Sequence, residues 1–343
     1  MSALALDQAP LDGATPVDSA TPAGLAVAEA ARTVQPIELA ELTELAELQT
    51  RVDRKYFVPA DVFGHLVGEL AGQLRVLEID GQRTFGYESV YFDTPQLTSY
   101  RAHLQRRRHR FKARTRTYTD SGLCMFEVKL PGARGQTVKQ RVPHPAEYSG
   151  ELTDEALAHL RTTLSEADHQ DLPSGLQPTL VTTYRRTTFV FRTGEARLTC
   201  DVGLTCLNLH NEVRDTGTHV LVETKSARHG SPADRLLREF GVRPASVSKY
   251  CLGVAALHPD LPSNPWHPTL RRYFEPLAPD PLRAETPSAP RRQPSPVRWA
   301  TVTTAPRAPG VNERLSVPQI TPASATRHSR AAGTPEGRSF SAA

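Results

Sequence analysis

The sequence predicts an α+β fold of about eight antiparallel strands, with flanking helices and unstructured ends. Three observations predict it. Between residues 51 and 226, short stretches repeatedly set charged side chains at one parity and packing side chains at the other, the two-residue period of a strand with unlike faces. Stretches with helical spacing precede, interrupt and follow these strands. At both ends the composition shifts: residues 1–35 are rich in Ala, Pro and Asp without period, and 16 of the 29 prolines fall after residue 258.

These shifts divide the chain into an unstructured tail at 1–35, a folded domain at 36–258 and a Pro/Arg-rich tail at 259–343. The core of that domain, about 210 residues from 50 to 258, is long enough to bury a sizeable interior. The formal charge is only +4, so the local arrangement of charge matters more than its sum. Residues 260–343 hold eleven Arg against six acids, which reads as a solvated basic tail. The four cysteines, Cys124, Cys200, Cys206 and Cys251, show no CxxC or zinc spacing and read as reduced, mostly buried thiols of a cytoplasmic protein. No basic-then-apolar leader opens the chain and no run approaches 18 apolar residues, so neither a signal peptide nor a membrane span is expected.

Taken in order, residues 36–49 have a helical stripe of Leu39, Leu42, Leu45 and Leu48 beside an acidic stripe of Glu38, Glu41, Glu44 and Glu47. Residues 51–58 alternate, with Arg51, Asp53 and Lys55 opposed to Val52, Tyr56 and Val58, Arg54 sharing the latter side. A helix with Val62, Leu66, Val67 and Leu70 inward follows at 61–71, then an aromatic and β-branched strand at 85–93 and a turn begun by Pro95. A short helical piece, LTSYRAHL, leads into residues 106–118. Read as a strand, these line up Arg106, Arg108, Arg110, Lys112, Arg114 and Arg116 on one face. So many cations in register repel one another unless anions lie between them, and a chain of phosphates is the expected anion.

Residues 123–130 place Met125, Glu127 and Lys129 opposite Cys124, Phe126, Val128 and Leu130. PGARG then turns a hairpin into TVKQRV, with Lys139 and Arg141 on one face. Residues 151–171 are helix-compatible and read as an insertion or cap. The long strand 180–192 opposes Tyr184, Arg186 and Thr188 to Thr187, Phe189 and Phe191. Gly194 turns it into EARLTCDV, where Asp201 shares a face with Arg197 and Thr199, and residues 219–226 group Glu223 with Leu221 and Lys225. Two helices close the domain, one at 232–240 ended by Gly241 and one at 246–257 capped by Ser246 or Ser248 with Lys249 in its first turn.

Half-charged strands allow two arrangements. A sandwich would turn the charged faces to water; a wide closed barrel would turn them inward and cover its apolar outside with helices. Periodicity does not separate these. The faces are dominated by Arg and Lys, with isolated carboxylates at Asp53, Glu127, Asp201 and Glu223, which suits a divalent metal held beside a polyanionic phosphate.

The segments RVDRKYFV, SVYFDTPQL, RFKARTRTY, FEVKL, TVKQR, YRRT, VLVETK and SKYCLG, in that order, resemble the VTC domain, the catalytic domain of polyphosphate polymerases in the CYTH-like triphosphate tunnel superfamily. The resemblance spans roughly 50–257 and leaves both tails outside. It implies an eight-stranded antiparallel tunnel barrel, lined with basic residues and acidic metal ligands, that transfers the ATP γ-phosphate onto a growing polyphosphate chain with Mn²⁺ or Mg²⁺. By motif it implies that Arg114, Arg116, Lys129 and Arg186 are catalytic. Lys55, Lys139 and Lys249 would be substrate-binding, with Arg108 favoured among Arg106, Arg107 and Arg108 by parity. Glu223, with Glu127, would bind metal. One departure matters: the superfamily's opening E-x-E-x-K reads Arg51-Val-Asp53-Arg-Lys55 here, which argues against a two-metal triphosphatase. ATP and polyphosphate are the expected partners, and any membrane partner would be a separate protein. The rival readings are a triphosphatase that uses water as acceptor and a non-catalytic sensor of polyphosphate or inositol phosphates. A nucleic-acid binder is disfavoured, because no aromatic platforms interleave the arginines.

Overall fold

In this computed structural model the described residues are 20–46, 52–132, 137–167, 172–208, 212–226 and 229–276. Helix α1 (Pro22–Thr33) is followed by β1 (Gln35–Ile37), α2 (Leu39–Ala46), β2 (Val52–Pro59), α3 (Ala60–Leu70) and β3 (Leu74–Leu77). Next come β4 (Phe85–Asp93), α4 (Thr98–Leu104), β5 (Lys112–Tyr118), β6 (Leu123–Pro131), β7 (Thr137–Pro143) and α5 (Asp154–Glu166). The remainder is β8 (Gln177–Phe191), β9 (Ala196–Leu207), β10 (Glu212–Asp215), β11 (His219–Ser226), α6 (Pro232–Glu239), α7 (Lys249–Leu257), α8 (His267–Tyr273) and β12 (Phe274–Pro276).

The strands that alternation predicts form one antiparallel path, β2-β11-β9-β8-β4-β5-β6-β7. Four short strands join it to make a 12-stranded sheet: β3 beside β8, β1 parallel to β3, and β10 and β12 beyond β9. The closed eight-stranded barrel is not what is observed, because β2 and β7 end the path without pairing to each other among the described residues.

The sheet is nevertheless strongly curled. Lys129 on β6 and Glu223 on β11 lie five ladder steps apart along the path, which in a flat sheet means about 24 Å. Even so, Glu223 acts on the ionisation of Lys129, and Lys55 on β2 acts on that of Lys112 on β5, again five steps away. Charges that far apart in a flat sheet would be screened. The charged faces therefore turn toward one another.

Helices cover the other face. Helices α1, α3 and α6 pack on Tyr56, Val58, Phe189, Leu198, Val202 and Val222, and α5 lays Ala156, Leu160 and Leu164 on Phe126 and Val128. Helix α7, with α4 and α8 in the same cluster, lies on the opposite side. It packs on Phe57, Tyr91, Tyr184, Leu204 and Leu221, side chains of the curled-in face, and nearly all its residues are buried. Gly253 permits that approach: a Cβ there would lie 2.8 Å from the Leu180 side chain.

Several expectations need correction. The N-terminal tail ends earlier than residue 35. Thr21 caps α1, Pro22 sits in its first turn, and Ala23, Val27 and Ala31 are buried, because small side chains let this helix approach the sheet closely. Residues 1–19 lie outside the described residues. The 36–49 helix is a short strand and a shorter helix; Leu42 is buried, Leu39 is half exposed, and Leu48 lies outside the described residues. Order also continues past 258, since β12 pairs with β10 and Trp266 and Phe274 are buried; residues 277–343 lie outside the described residues, as do 133–136 of the hairpin turn. Finally, the basic strand starts at Lys112 rather than Arg106. Arg106 adopts φ 52°, and the Arg107 amide donates to the Ala102 carbonyl at 2.9 Å, so the chain leaves α4 through a left-handed C-terminal turn with its arginines in solvent.

Candidate functional site

Alternation puts one charged side chain at every second strand position, and the curl gathers these from different strands. On β5 and β6, Arg114 and Glu127 are directly opposed. Arg114 donates from Nε and Nη2 to Glu127 Oε2 at 2.8 and 2.5 Å, and from Nη1 to the Tyr91 hydroxyl at 2.8 Å. Lys139 on β7 completes the group, its Nζ 2.5 Å from Glu127 Oε1. Glu127 is fully buried and both its oxygens face cations. Burial alone would raise this carboxyl, but Arg114, Arg116, Lys139 and Lys129 together hold it well below the usual range.

A second group joins β8, β9 and α7. Arg186 grips Asp201 with both ends of its fork, Nε to Oδ1 at 2.5 Å and Nη2 to Oδ2 at 2.8 Å. Lys249 donates to the same Oδ2. Its ammonium lies 4.2 Å from the centre of the Tyr184 ring, and the Arg186 guanidinium lies 5.1 Å from that of Tyr87. Ser248 is the residue that caps α7, so the cap itself places Lys249 in the first turn.

The third group spans β2 and β11. Lys55 Nζ is 3.4 Å from Glu223 Oε1, while Lys225 Nζ is 2.9 Å from both Glu223 Oε1 and Asp53 Oδ2. The closest contact of each lysine with Glu223 falls on Oε1. Burial would raise the Glu223 carboxyl, yet Lys55, Lys225, Arg186 and Lys129 hold it well below its ordinary value.

Arg116 stands between these groups with no carboxylate partner among the described residues. It donates to the Tyr184 hydroxyl at 2.8 Å and to Ser89 Oγ at 3.3 Å. Lys129 faces the same interior. The charge of Arg114, then burial, then Arg116 push its ammonium well below the usual lysine value. Burial likewise lowers Lys139 to about 8, against the pull of Glu127.

The structure thus brings together Lys55, Arg114, Arg116, Glu127, Lys129, Lys139, Arg186, Glu223 and Lys249. It does not bring Arg108 to them: that residue is exposed in the turn before β5, because the parity used to choose it belongs to a strand that begins later. Lys225 was given no role by sequence, and Asp201 and Lys112 entered only as one of four isolated carboxylates and one of a row of cations. Asp201 and Lys225 are recognisable only from register, Asp201 opposite Arg186 and Lys225 opposite Asp53. Among the described residues no three His, Cys, Asp or Glu side chains cluster as a metal cage, and no helix is long and apolar enough to cross a membrane.

A family model described as the VTC domain matches residues 50–258. No curated protein matches the chain. Solved structures similar to it include a protein from Hippeastrum described by a dominant triphosphatase activity (14% identity, 60% of this chain and 95% of that one, TM-score 0.41). A candidate adenylate cyclase from Vibrio parahaemolyticus shows 17% identity over 58% of this chain and 95% of that one, with a TM-score of 0.34. A Pyrococcus horikoshii protein shows 13% identity over 59% of this chain and 97% of that one, with a TM-score of 0.35.

Proposed function

This chain belongs to the VTC domain family, and from that premise we propose that it is a polyphosphate polymerase, moving the γ-phosphate of ATP onto the end of a growing polyphosphate chain inside the curled sheet. The observation that carries this reading is the convergence of Arg114, Arg116, Lys129 and Arg186, from three strands, on one interior backed by Tyr91 and Tyr184.

Phosphoryl transfer needs alignment of the reacting oxygens and relief of accumulating negative charge, with little covalent help from the protein. Arg114 and Arg186 are held by carboxylates that keep one fork edge engaged and orient the guanidinium, and Arg116 is held by hydroxyls. Held in this way, they present donors to phosphate without reorganising. Lys55, Lys139 and Lys249 line the approach for acceptor or product. The acceptor is an already ionised phosphate, so no general base is required of the chain.

A divalent ion, Mn²⁺ or Mg²⁺, would supply charge neutralisation on phosphate oxygens. Glu223 fits it: it is a carboxylate of the interior whose closest contacts with Lys55 and Lys225 both fall on one oxygen, Oε1. Glu127 is fully buried with Oε2 holding Arg114 and Oε1 ion-paired to Lys139; its first role is to hold Arg114. A single protein carboxylate, with phosphate and water as the other ligands, matches the way Mg²⁺-like ions are usually held.

Incubation with ATP and Mn²⁺, with products resolved by gel and by phosphate release, tests the proposal. ADP together with long polyphosphate is the expected result. Orthophosphate without chains would make the protein a triphosphatase, and tight polyphosphate binding without turnover would make it a sensor.

A further inference from the structure

The inward cations are not equally provided for. Arg114 and Lys139 share Glu127, Arg186 and Lys249 share Asp201, and Lys55 and Lys225 share Glu223. Lys112 and Lys129 are different. They are directly opposed on β5 and β6, half-buried, and among the described residues neither has an ion pair or a hydrogen bond from its ammonium. Directly opposed side chains on paired strands start about 5 Å apart, and like charges there repel. Lys112 also meets further positive charge: Lys55 from across the curl, and Arg110 and Arg114 beside it in sequence, add to burial in lowering it to about 8. Glu127 and Glu223 offset this at Lys129 through space, without an ion pair, and the facing charges that remain call for an anion from outside.

Position tells which anion. Lys112, Arg114 and Arg116 follow one another at alternate residues of β5, about 7 Å apart per step. Lys112 is the step beyond the two arginines, on the side where the chain emerges into the exposed turn of Arg106, Arg107 and Arg108. We propose that Lys112, with Lys129, forms a subsite for the phosphate units of a linear polyphosphate that lie beyond those gripped by Arg114 and Arg116, and that the arginine turn outside it gathers the polymer toward this end of the interior. The assignment rests on the phosphate-binding reading given above and specifies where the polymer, as distinct from the nucleotide, is held.

Calorimetric titration of the full chain with long linear polyphosphate and with a non-hydrolysable ATP analogue, without metal, tests it on wild type, Lys112→Met and Lys112→Arg. Lys112→Met should lose about 10- to 100-fold in affinity for polyphosphate, change little toward the nucleotide analogue, and be restored by Lys112→Arg. The melting temperature of ligand-free Lys112→Met should equal or exceed that of wild type, since one of two facing charges is gone. Unchanged polyphosphate affinity in Lys112→Met, or equal loss for both probes, would overturn the subsite while leaving the phosphate-binding reading in place. Wild type that binds neither probe would overturn both.

Discussion

Arg186 on β8 and Asp201 on β9 are cross-strand partners joined by two hydrogen bonds, and Lys249 of α7 closes on the same carboxylate. One buried anion therefore sets the orientation of a phosphate-gripping arginine and ties down the helix that packs against the curled-in face. Removing one member of a buried pair strands the others. Asp201→Ala should cost about 3–5 kcal/mol of stability, read from denaturant unfolding midpoints. Asp201→Asn keeps the volume but frees both cations, and should lower kcat more than it lowers stability.

Glu223 and Glu127 should separate cleanly. Glu223→Gln should raise the divalent-ion concentration needed for half-maximal turnover, because it removes the protein's ligand. Glu127→Gln should leave that concentration unchanged and weaken triphosphate affinity, because Arg114 loses its anchor and Lys139 its partner. Turnover titrated against Mn²⁺ for both variants distinguishes the two roles.

Burial lowers Lys112 and Lys139 to about 8, from an ordinary 10.5. A long phosphate chain needs both ammonium groups charged, so affinity for long linear polyphosphate should be full below that value and fall as pH rises through it. Binding near pH 8 should take up protons, visible as a heat that depends on the buffer's ionisation enthalpy. Stability of the ligand-free protein should move the other way. Between the folded and ordinary values the unfolded chain binds more protons, so the fold gains stability as pH rises from about 8.

Asp93 is fully buried and receives the backbone amides of Thr94, Ser99 and Tyr100 at 2.8, 2.9 and 3.0 Å. The Tyr250 hydroxyl donates to it from α7. Because α7 carries Lys249, Tyr250→Phe should cost about 1.5–3 kcal/mol and make Lys249 less well placed. Unfolding midpoints measure the first effect, and a rise in KM exceeding any change in kcat measures the second.

Much of this interior was legible from alternation alone. Lys55, Arg114, Arg116, Glu127, Lys129, Arg186 and Glu223 share the parity of one strand face, and the structure turns that face inward. What periodicity missed has physical reasons. In residues 106–110 almost every position is cationic, so parity carries no information there, and a left-handed residue at Arg106 ends the turn without the usual glycine. Helix α1 buries no apolar residue larger than Val27, its one leucine, Leu25, being exposed, and reads as a tail, although its alanines let it sit close against the sheet. Helix α7 is apolar on nearly every side, so its sequence does not say which layer it occupies. Asp201 read only as an isolated carboxylate because its partner lies 15 residues away and only strand register joins them. Closure of a barrel depends on the pairing of β2 with β7, which no local pattern encodes.

The most direct test of the central claim is a crystal structure of the protein with inorganic tripolyphosphate and Mn²⁺. The account predicts phosphate density enclosed by the curled sheet, within hydrogen-bonding distance of Arg114, Arg116, Lys129 and Arg186, with the ion on Glu223. Phosphate found on the outer surface alone, with none of those four side chains in contact with it, would contradict it.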